Sequence, residues 1–316
     1  MSEMGTVIKS TGSWYILRTE EGHTLQSRIR GKFRLDGKKL TNPVAVGDVV
    51  SFDREAGEEE VGIITHIHDR KNYVVRQSPR QKHALHLLAA NVDQVVLVST
   101  IKSPDLKPGF IDRFLLMTEG HDIPVIIIIN KADLLEPEDL EIYGGLEFIY
   151  ERIGYEVILT SAEDGTGVPE LQDKLKNKIT LISGQSGVGK SSLLNAIQPE
   201  LGLRTREISD ASGKGAHTTT HAEMFELEFG GFIIDTPGIK NLSFNNLTIQ
   251  DVAHNFREFF ELSHECKFNN CTHRNEPGCA VKNGIEEGLV SELRYMNYLQ
   301  ILDEIDAQNY WERINY

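Results

Sequence analysis

A chain of 316 residues with 40% hydrophobic and 25% charged side chains holds enough apolar material for two or three packed domains, and too much for a disordered polymer. A net charge of −14 argues against indiscriminate nucleic-acid binding. The longest apolar run, Ile123–Ile129, contains Pro124 and is too short for a membrane span, and the first ten residues lack a signal-peptide core, so a cytoplasmic protein with no membrane partner is expected.

Residues 1–72 carry eleven basic and eleven acidic side chains, so the excess acidity lies downstream. Short alternating segments at Thr6–Ile8, Trp14–Leu17, Thr24–Ile29, Val49–Phe52 and Gly62–Ile67, with turns at Asp36-Gly37 and Gly47-Asp48, predict a small β-barrel, of which the oligonucleotide-binding fold is one kind. Arg28, Arg30, Lys32, Arg34, Lys38 and Lys39 lie within twelve residues around Phe33, opposed by Asp36 alone. Such a strand can track phosphates and stack a base, and a solvated edge strand favours the same residues. The acidic run Glu55–Glu60 reads as an exposed loop. Residues 73–90 read as a linker. His83 and His86 are spaced for a metal but lack a third ligand nearby.

Over residues 91–240 apolar strands alternate with amphipathic helices. Strands are expected at Val92–Val98, Pro124–Ile129, Glu156–Leu159, Ile179–Ile182, Ala222–Phe229 and Phe232–Ile234. Helices are expected at Phe110–Glu119, Glu136–Arg152 and Val168–Lys176. This alternation predicts a doubly wound α/β fold. Residues 241–316 read as acidic and helical, with helices near Ile249–Leu262 and Ser291–Asp306.

The strand at Ile179 runs into Gly184, Gln185, Ser186, Gly187, Val188, Gly189, Lys190, Ser191 and Ser192, a G-x-x-x-x-G-K-S phosphate-binding loop followed by a helix. Its glycines let backbone N–H groups converge on phosphate oxygens, Lys190 can reach the outer phosphates, and Ser191 can hold Mg2+. The loop alone does not separate ATP from GTP. Asn130, Lys131, Ala132 and Asp133 follow the isoleucine-rich strand, where ligands of parallel sheets bind. The Asp133 carboxylate can accept two hydrogen bonds from guanine and none from the matching edge of adenine. Asn130 can contact the base edge, and the Lys131 stem can lie over the ring. Thr160, Ser161 and Ala162 follow another strand, three small residues that say little alone and that are similar to the short Ser-Ala turn by which GTPases offer backbone N–H groups to the base oxygen. Asp235 and Gly238 of D-T-P-G suit water-mediated Mg2+ and γ-phosphate contacts, and the glycine loop before Thr218 and Thr219 suits a switch in which either threonine could reach the metal.

All three cysteines fall in Cys266-x4-Cys271-x-His273-x5-Cys279, four ligands in fourteen residues of the kind zinc takes in a closed structural site. Lys267, Arg274 and Lys282 stand around it.

The order of these motifs is that of a Ras-like GTPase circularly permuted, with N-K-A-D and T-S-A ahead of the phosphate loop, H-T-T-T and D-T-P-G. With a β-rich region in front and a Cys/His cluster behind, the whole chain resembles the bacterial small-ribosomal-subunit biogenesis GTPases, the ribosome small-subunit-dependent GTPase A family. The resemblance implies an oligonucleotide-binding barrel over 1–72, a permuted GTPase over 91–240 and a zinc-binding helical domain over 241–316. It also implies GTP hydrolysis to GDP and phosphate in late small-subunit assembly, with rRNA contact and turnover stimulated by the ribosome. A monomer is expected. Where Ras-like enzymes carry a water-orienting glutamine, this chain has Ile239. The resemblance makes His217 the substitute, although Ala216 replaces the basic residue usual before it. Two rival readings are a P-loop metabolic kinase, against which Asn130-Lys131-Ala132-Asp133 speaks, and a nucleotide-gated RNA-binding module without turnover, which the missing glutamine keeps open.

Overall fold

The computed structural model describes residues 2–29, 42–55, 61–77, 85–203, 222–236, 242 and 247–307. The front strands are β1 (Glu3–Ser10), β2 (Tyr15–Thr19), β3 (Thr24–Ile29), β4 (Val49–Glu55) and β5 (Val61–Ile67). They are ordered β1-β2-β3-β5-β4, and β4 returns to pair with β1, so the sheet closes into a barrel. Alternate residues face inward, as the period-two pattern requires, and Val7, Tyr15, Leu17, Val50, Phe52 and Ile64 fill the interior. Arg28 pairs with Glu55 at 2.6 Å. The remainder of the basic cluster, Arg30 to Lys39, lies outside the described residues.

Over residues 73–90, expected as a linker, the chain makes an antiparallel hairpin of β6 (Tyr73–Gln77) and β7 (Leu85–Ala90). Its apolar positions Val74, Leu88 and Ala89 join the main core. The polar residues between the two short runs masked their pairing in the sequence.

The central strands are β8 (Gln94–Thr100), β9 (Val125–Asn130), β10 (Glu156–Thr160), β11 (Ile179–Gly184), β12 (Glu223–Glu226) and β13 (Phe232–Asp235), in the order β10-β9-β8-β11-β13-β12. All pairings are parallel except that of β12 with β13. Successive residues of β8 and β9 point to opposite faces. Val95, Leu97, Ile127 and Ile129 pack under α1 (Pro108–Glu119) and α2 (Pro137–Glu151). Val96, Val98, Ile126 and Ile128 pack under α3 (Val168–Leu175) and α4 (Lys190–Ile197). Both faces being covered explains strands that are apolar at every position. Strand β12 stops short of the expected Phe229, because Leu227–Gly231 turn back, with Gly230 and Gly231 at φ of 90° and 100°.

The outer border of β12 is occupied. Strand β1 pairs with it antiparallel, placing Lys9 opposite Glu223 and making one eleven-stranded sheet through barrel and core. Lys9 Nζ meets Glu223 at 2.8 Å, and Arg18 Nη2 donates to both Glu226 oxygens at 2.9 and 3.1 Å.

The expected helix Ile249–Leu262 is two helices, α5 (Ile249–His254) and α6 (Arg257–Ser263), broken where Asn255 leaves helical geometry and Phe256 extends into the core. Two further helices follow, α7 (Ala280–Glu286), which sequence reading missed, and α8 (Glu292–Ala307). They pack with Leu116 of α1 around Phe256, Phe259 and Tyr298. A buried ionic network ties this end to the core. Arg294 of α8 donates from Nε and Nη2 to Glu258 of α6 at 2.6 and 3.0 Å, and from Nη1 to Asp112 of α1. Asp112 also accepts from Tyr150 of α2 at 3.0 Å and Asn297 of α8 at 2.5 Å. Beside it Arg257 makes a two-pronged pair with Glu119 at 2.8 and 2.9 Å and stacks 3.9 Å over Tyr155.

Candidate functional site

The carboxyl ends of β9, β10, β11 and β13 meet at one rim of the sheet, and each delivers one sequence motif. Strand β11 lies between β8 and β13, so its loop, Gly184 to Gly189, stands between the end of β8 and the motif that begins at Asp235. A Cβ on Gly184 would stand 2.2 Å from the Val98 carbonyl oxygen, and one on Gly189 2.5 Å from Asn130 Nδ2. Both glycines have positive φ, so the loop turns tightly against its neighbours and enters α4 with its N–H groups facing outward.

Asn130 is 1% exposed and spans two motifs. Its Nδ2 donates to the Val188 carbonyl at 2.9 Å, and its Oδ1 accepts from Thr160 Oγ1 at 2.9 Å. Asn130 therefore braces the loop after β11 against the ends of β9 and β10, and one Nδ2 proton remains for another acceptor. Asp133 is exposed, and its Oδ1 accepts from Ser161 Oγ at 2.7 Å. That bond fixes the carboxylate plane and leaves the second oxygen open to a ligand. The Ser161 N–H is used within its own turn, donating to Thr166 O at 2.9 Å. The Ala162 N–H makes no hydrogen bond within the described residues, so it is the donor this turn can offer. Lys131 sits at φ 69°, and its ammonium donates to the Ser103 carbonyl, which lays its stem across the opening. Pro104 approaches Gly187 from the same loop. This wall after β8 was missed in the sequence, where Ser103-Pro104-Asp105 gave a turn signal at a strand end and no chemistry.

Lys190 Nζ donates to the carbonyls of Gly184 at 3.0 Å and Gln185 at 2.8 Å. Burial pushes its ammonium down to about 8, against the pull of Asp235. A phosphate arriving here replaces two weak acceptors with a charged one. Asp235 ends β13 beside Ile182 of β11 and is 3% exposed, and Thr236 Oγ1 donates to Ile182 O at 3.1 Å. Asp235 is close enough to act on the Lys190 ammonium at the head of α4, and a buried carboxylate there is a hard-oxygen donor of the kind Mg2+ takes. Gln185, Ser186 and Ser192 lie in the same loop and first helical turn. His217, Thr218, Thr219 and Gly238 lie outside the described residues.

The second cluster, Cys266, Cys271, His273 and Cys279, gathers its four ligand atoms within 4.8 Å of one another. His273 Nδ1 stands 3.4 Å from Cys279 Sγ and 3.7 Å from Cys266 Sγ. Ligands about 2.0–2.3 Å from a tetrahedral zinc stand roughly 3.5–3.8 Å apart, a spacing the two His273 separations approach, and three thiols with one imidazole are the donor set that ion takes. Burial lowers the His273 pKa and raises those of Cys271, to about 12, and Cys279. The loop is braced around the cluster. Glu276 accepts from the Thr272, Arg274 and Asn275 N–H groups at 2.8, 3.0 and 3.1 Å, while Tyr298 and Tyr295 donate to the carbonyls of Thr272 and His273. The Ala280 N–H donates to Cys266 Sγ at 3.3 Å. Among the described residues no other such group of His, Cys, Asp and Glu forms, and no helix is long and apolar enough to cross a membrane.

Asp133→Asn is expected to weaken GTP binding tenfold to a hundredfold while leaving ATP binding unchanged, because a charged hydrogen bond contributes roughly 1.5–3 kcal/mol. Titration with fluorescent GTP and ATP analogues checks it.

Two family patterns match the chain, RsgA N-terminal domain over residues 4–64 and RsgA GTPase over residues 67–245. A small ribosomal subunit biogenesis GTPase RsgA of Flavobacterium psychrophilum is 47% identical over 303 residues, covering 96% of this chain and 93% of its own. The protein of the same description from Phocaeicola vulgatus is also 47% identical, covering 97% and 98%. Among solved structures, YjeQ from Thermotoga maritima superposes with a TM-score of 0.78 at 36% identity, over 98% of this chain and all of its own. YloQ, described as a circularly permuted GTPase, gives 0.73 at 32% identity, over 98% and 96%.

Proposed function

This chain belongs to the RsgA GTPase family, and from that premise we propose that it uses GTP hydrolysis to bind and leave the maturing small ribosomal subunit. It is a GTP hydrolase with a circularly permuted core. The observation that most supports guanine as the base is the Ser161–Asp133 bond, which presents one carboxylate oxygen outward at the mouth of the phosphate loop. In this reading Asp133 and the Ala162 N–H recognise the base, and Lys131 covers it. The N–H groups of Gly187 to Ser192 and the Lys190 ammonium hold the phosphates. Ser191, Asp235 through water and one of Thr218 and Thr219 would hold Mg2+, which supplies charge neutralisation at the β- and γ-phosphates. His217 orients the attacking water in place of the side chain that Ile239 does not offer, and the Gly238 N–H meets the γ-phosphate. The Cys266–Cys279 cluster holds one structural zinc. The regions 1–72, 91–240 and 241–316 act as RNA-binding, GTPase and zinc-binding parts of a cytoplasmic monomer, and the rRNA of the small subunit is the nucleic-acid contact.

The test is phosphate release from GTP with and without purified small subunits. Strong acceleration by the subunits is expected, and His217→Ala should remove most of it while GTP affinity stays within about twofold. A rate that never rises identifies a nucleotide-gated binding module, and a rate that needs a small acceptor identifies a kinase.

A further inference from the structure

The loop after β8 holds the turn that carries Lys131 and Asp133. Past Thr100 the chain doubles back on itself, with Thr100 Oγ1 donating to Pro104 O at 2.7 Å and the Leu106 N–H to Ile101 O at 3.0 Å. Ile101 is buried in the main core and Leu106 packs against it, so the loop is rooted at both ends. Its crest is Lys102, Ser103 and Pro104. Ser103 stands at φ 53°, a left-handed conformation uncommon for serine, which the rooted loop imposes.

Two consecutive crest residues grip opposite ends of the turn after β9. At its start, the Ser103 carbonyl accepts from the Lys131 ammonium. At its end, where α2 begins, the Lys102 ammonium donates to Asp139 at 2.6 Å and to Glu136 at 2.8 Å. Asp133 lies between the two grips, in one turn of 3-10 helix, Ala132–Leu134.

The far anchor of the second grip is stiff. Asp139 is 8% exposed, and the oxygen that meets Lys102 also accepts the Glu136 N–H at 2.8 Å in a capping box, with Pro137 next in the chain. Among the described residues no other cation pairs with Glu136 or Asp139. A partly exposed pair of this kind adds little to overall stability. Its consequence is geometric. The Ser161 hydroxyl steadies the Asp133 carboxylate from one side, and a hydrogen bond to a base weakens steeply once donor and acceptor leave line.

We infer that Lys102 is a positioning residue for guanine selection. By clasping the head of α2 it fixes the outer end of the Lys131–Asp133 turn, and so sets where the free Asp133 oxygen meets the base. The inference rests on the GTPase reading above and adds to it a residue that acts on specificity through α2 and not through the nucleotide.

Lys102→Met keeps the apolar stem and removes the ammonium. ITP is GTP without the exocyclic amine, so the ratio of GTP to ITP affinity reports the placement of Asp133. The unmodified chain should prefer GTP, and in Lys102→Met that ratio should narrow about threefold to tenfold, part of one charged hydrogen bond. KM for GTP should rise with it while unstimulated kcat stays within about twofold, as when an interaction common to ground and transition states is lost. The thermal midpoint should move by no more than a few degrees. Lys102→Arg, which keeps the charge, should restore most of the ratio. An equal loss of GTP and ITP affinity shows only a missing charge felt by the phosphates and overturns the inference. A ratio that narrows together with a collapsed thermal midpoint, and that arginine does not restore, marks general loosening and overturns it too. A preference for GTP that Lys102→Met leaves intact sinks this inference alone. If the unmodified chain binds ATP as tightly as GTP, the guanine reading itself has failed and the inference falls with it.

Discussion

Chelating the metal from the Cys266–Cys279 loop is expected to unfold residues 247–307 while nucleotide binding persists. The four ligands occupy a loop with little apolar burial of its own, held between α6, α7 and the tyrosines of α8. A structural zinc contributes about 10–16 kcal/mol of apparent binding energy, more than the whole stability of most small domains. Without it, two buried thiols and a buried imidazole must stay neutral in a site shaped for thiolates, which the raised Cys271 and Cys279 pKa values express. Metal entry expels those protons, so affinity should fall as pH is lowered from 8 to 6. The phosphate loop lies at the sheet rim, on other elements, and should retain GTP. The core should nonetheless melt at lower temperature, because α1 and α2 lose their covering. Hydrogen exchange with and without chelator checks each part, and protection of 247–307 that survives metal removal would sink the expectation.

Asp112→Ala should destabilise the protein by about 3–5 kcal/mol without touching nucleotide affinity. Asp112 is 1% exposed and accepts from three groups on two other helices. Burial raises its pKa against the pull of Arg294, Asn297 and Tyr150. Deleting the carboxylate strands those donors where water cannot reach, and breaking one partner out of a buried ionic group costs that much. Replacing Asp112, Glu258 and Arg294 together with apolar residues of similar volume should cost far less, since no charge is left behind. Denaturant unfolding of the single and triple variants separates the two. If the single variant loses less than about 1 kcal/mol, the network contributes little.

Much of this architecture was legible beforehand because it rests on local patterns. The isoleucines of β9 and the alternating faces of the barrel strands follow from strand periodicity, and the motifs stand at strand ends because parallel sheets open there. Other features depend on partners distant along the chain. Arg294 sits in Glu-Leu-Arg-Tyr, which reads as a surface turn of helix, and its burial follows only from the approach of α1 and α6. Asn130 could be placed at the site, but its bracing of Val188 depends on β9 and β11 lying on either side of β8. The break at Asn255-Phe256 is invisible to periodicity, because Phe256 is apolar in either conformation and tertiary burial decides between them.

The seam between β1 and β12 gives the first seventy residues a second use. A strand with one bare side recruits whatever strand it meets, and β12 would have such a side in a core standing alone. Here the barrel supplies the missing neighbour and locks it with Lys9–Glu223 and Arg18–Glu226. The front of the molecule is thus also a guard against self-association of the hydrolytic core, and shortening the chain from that end would bare the border of β12.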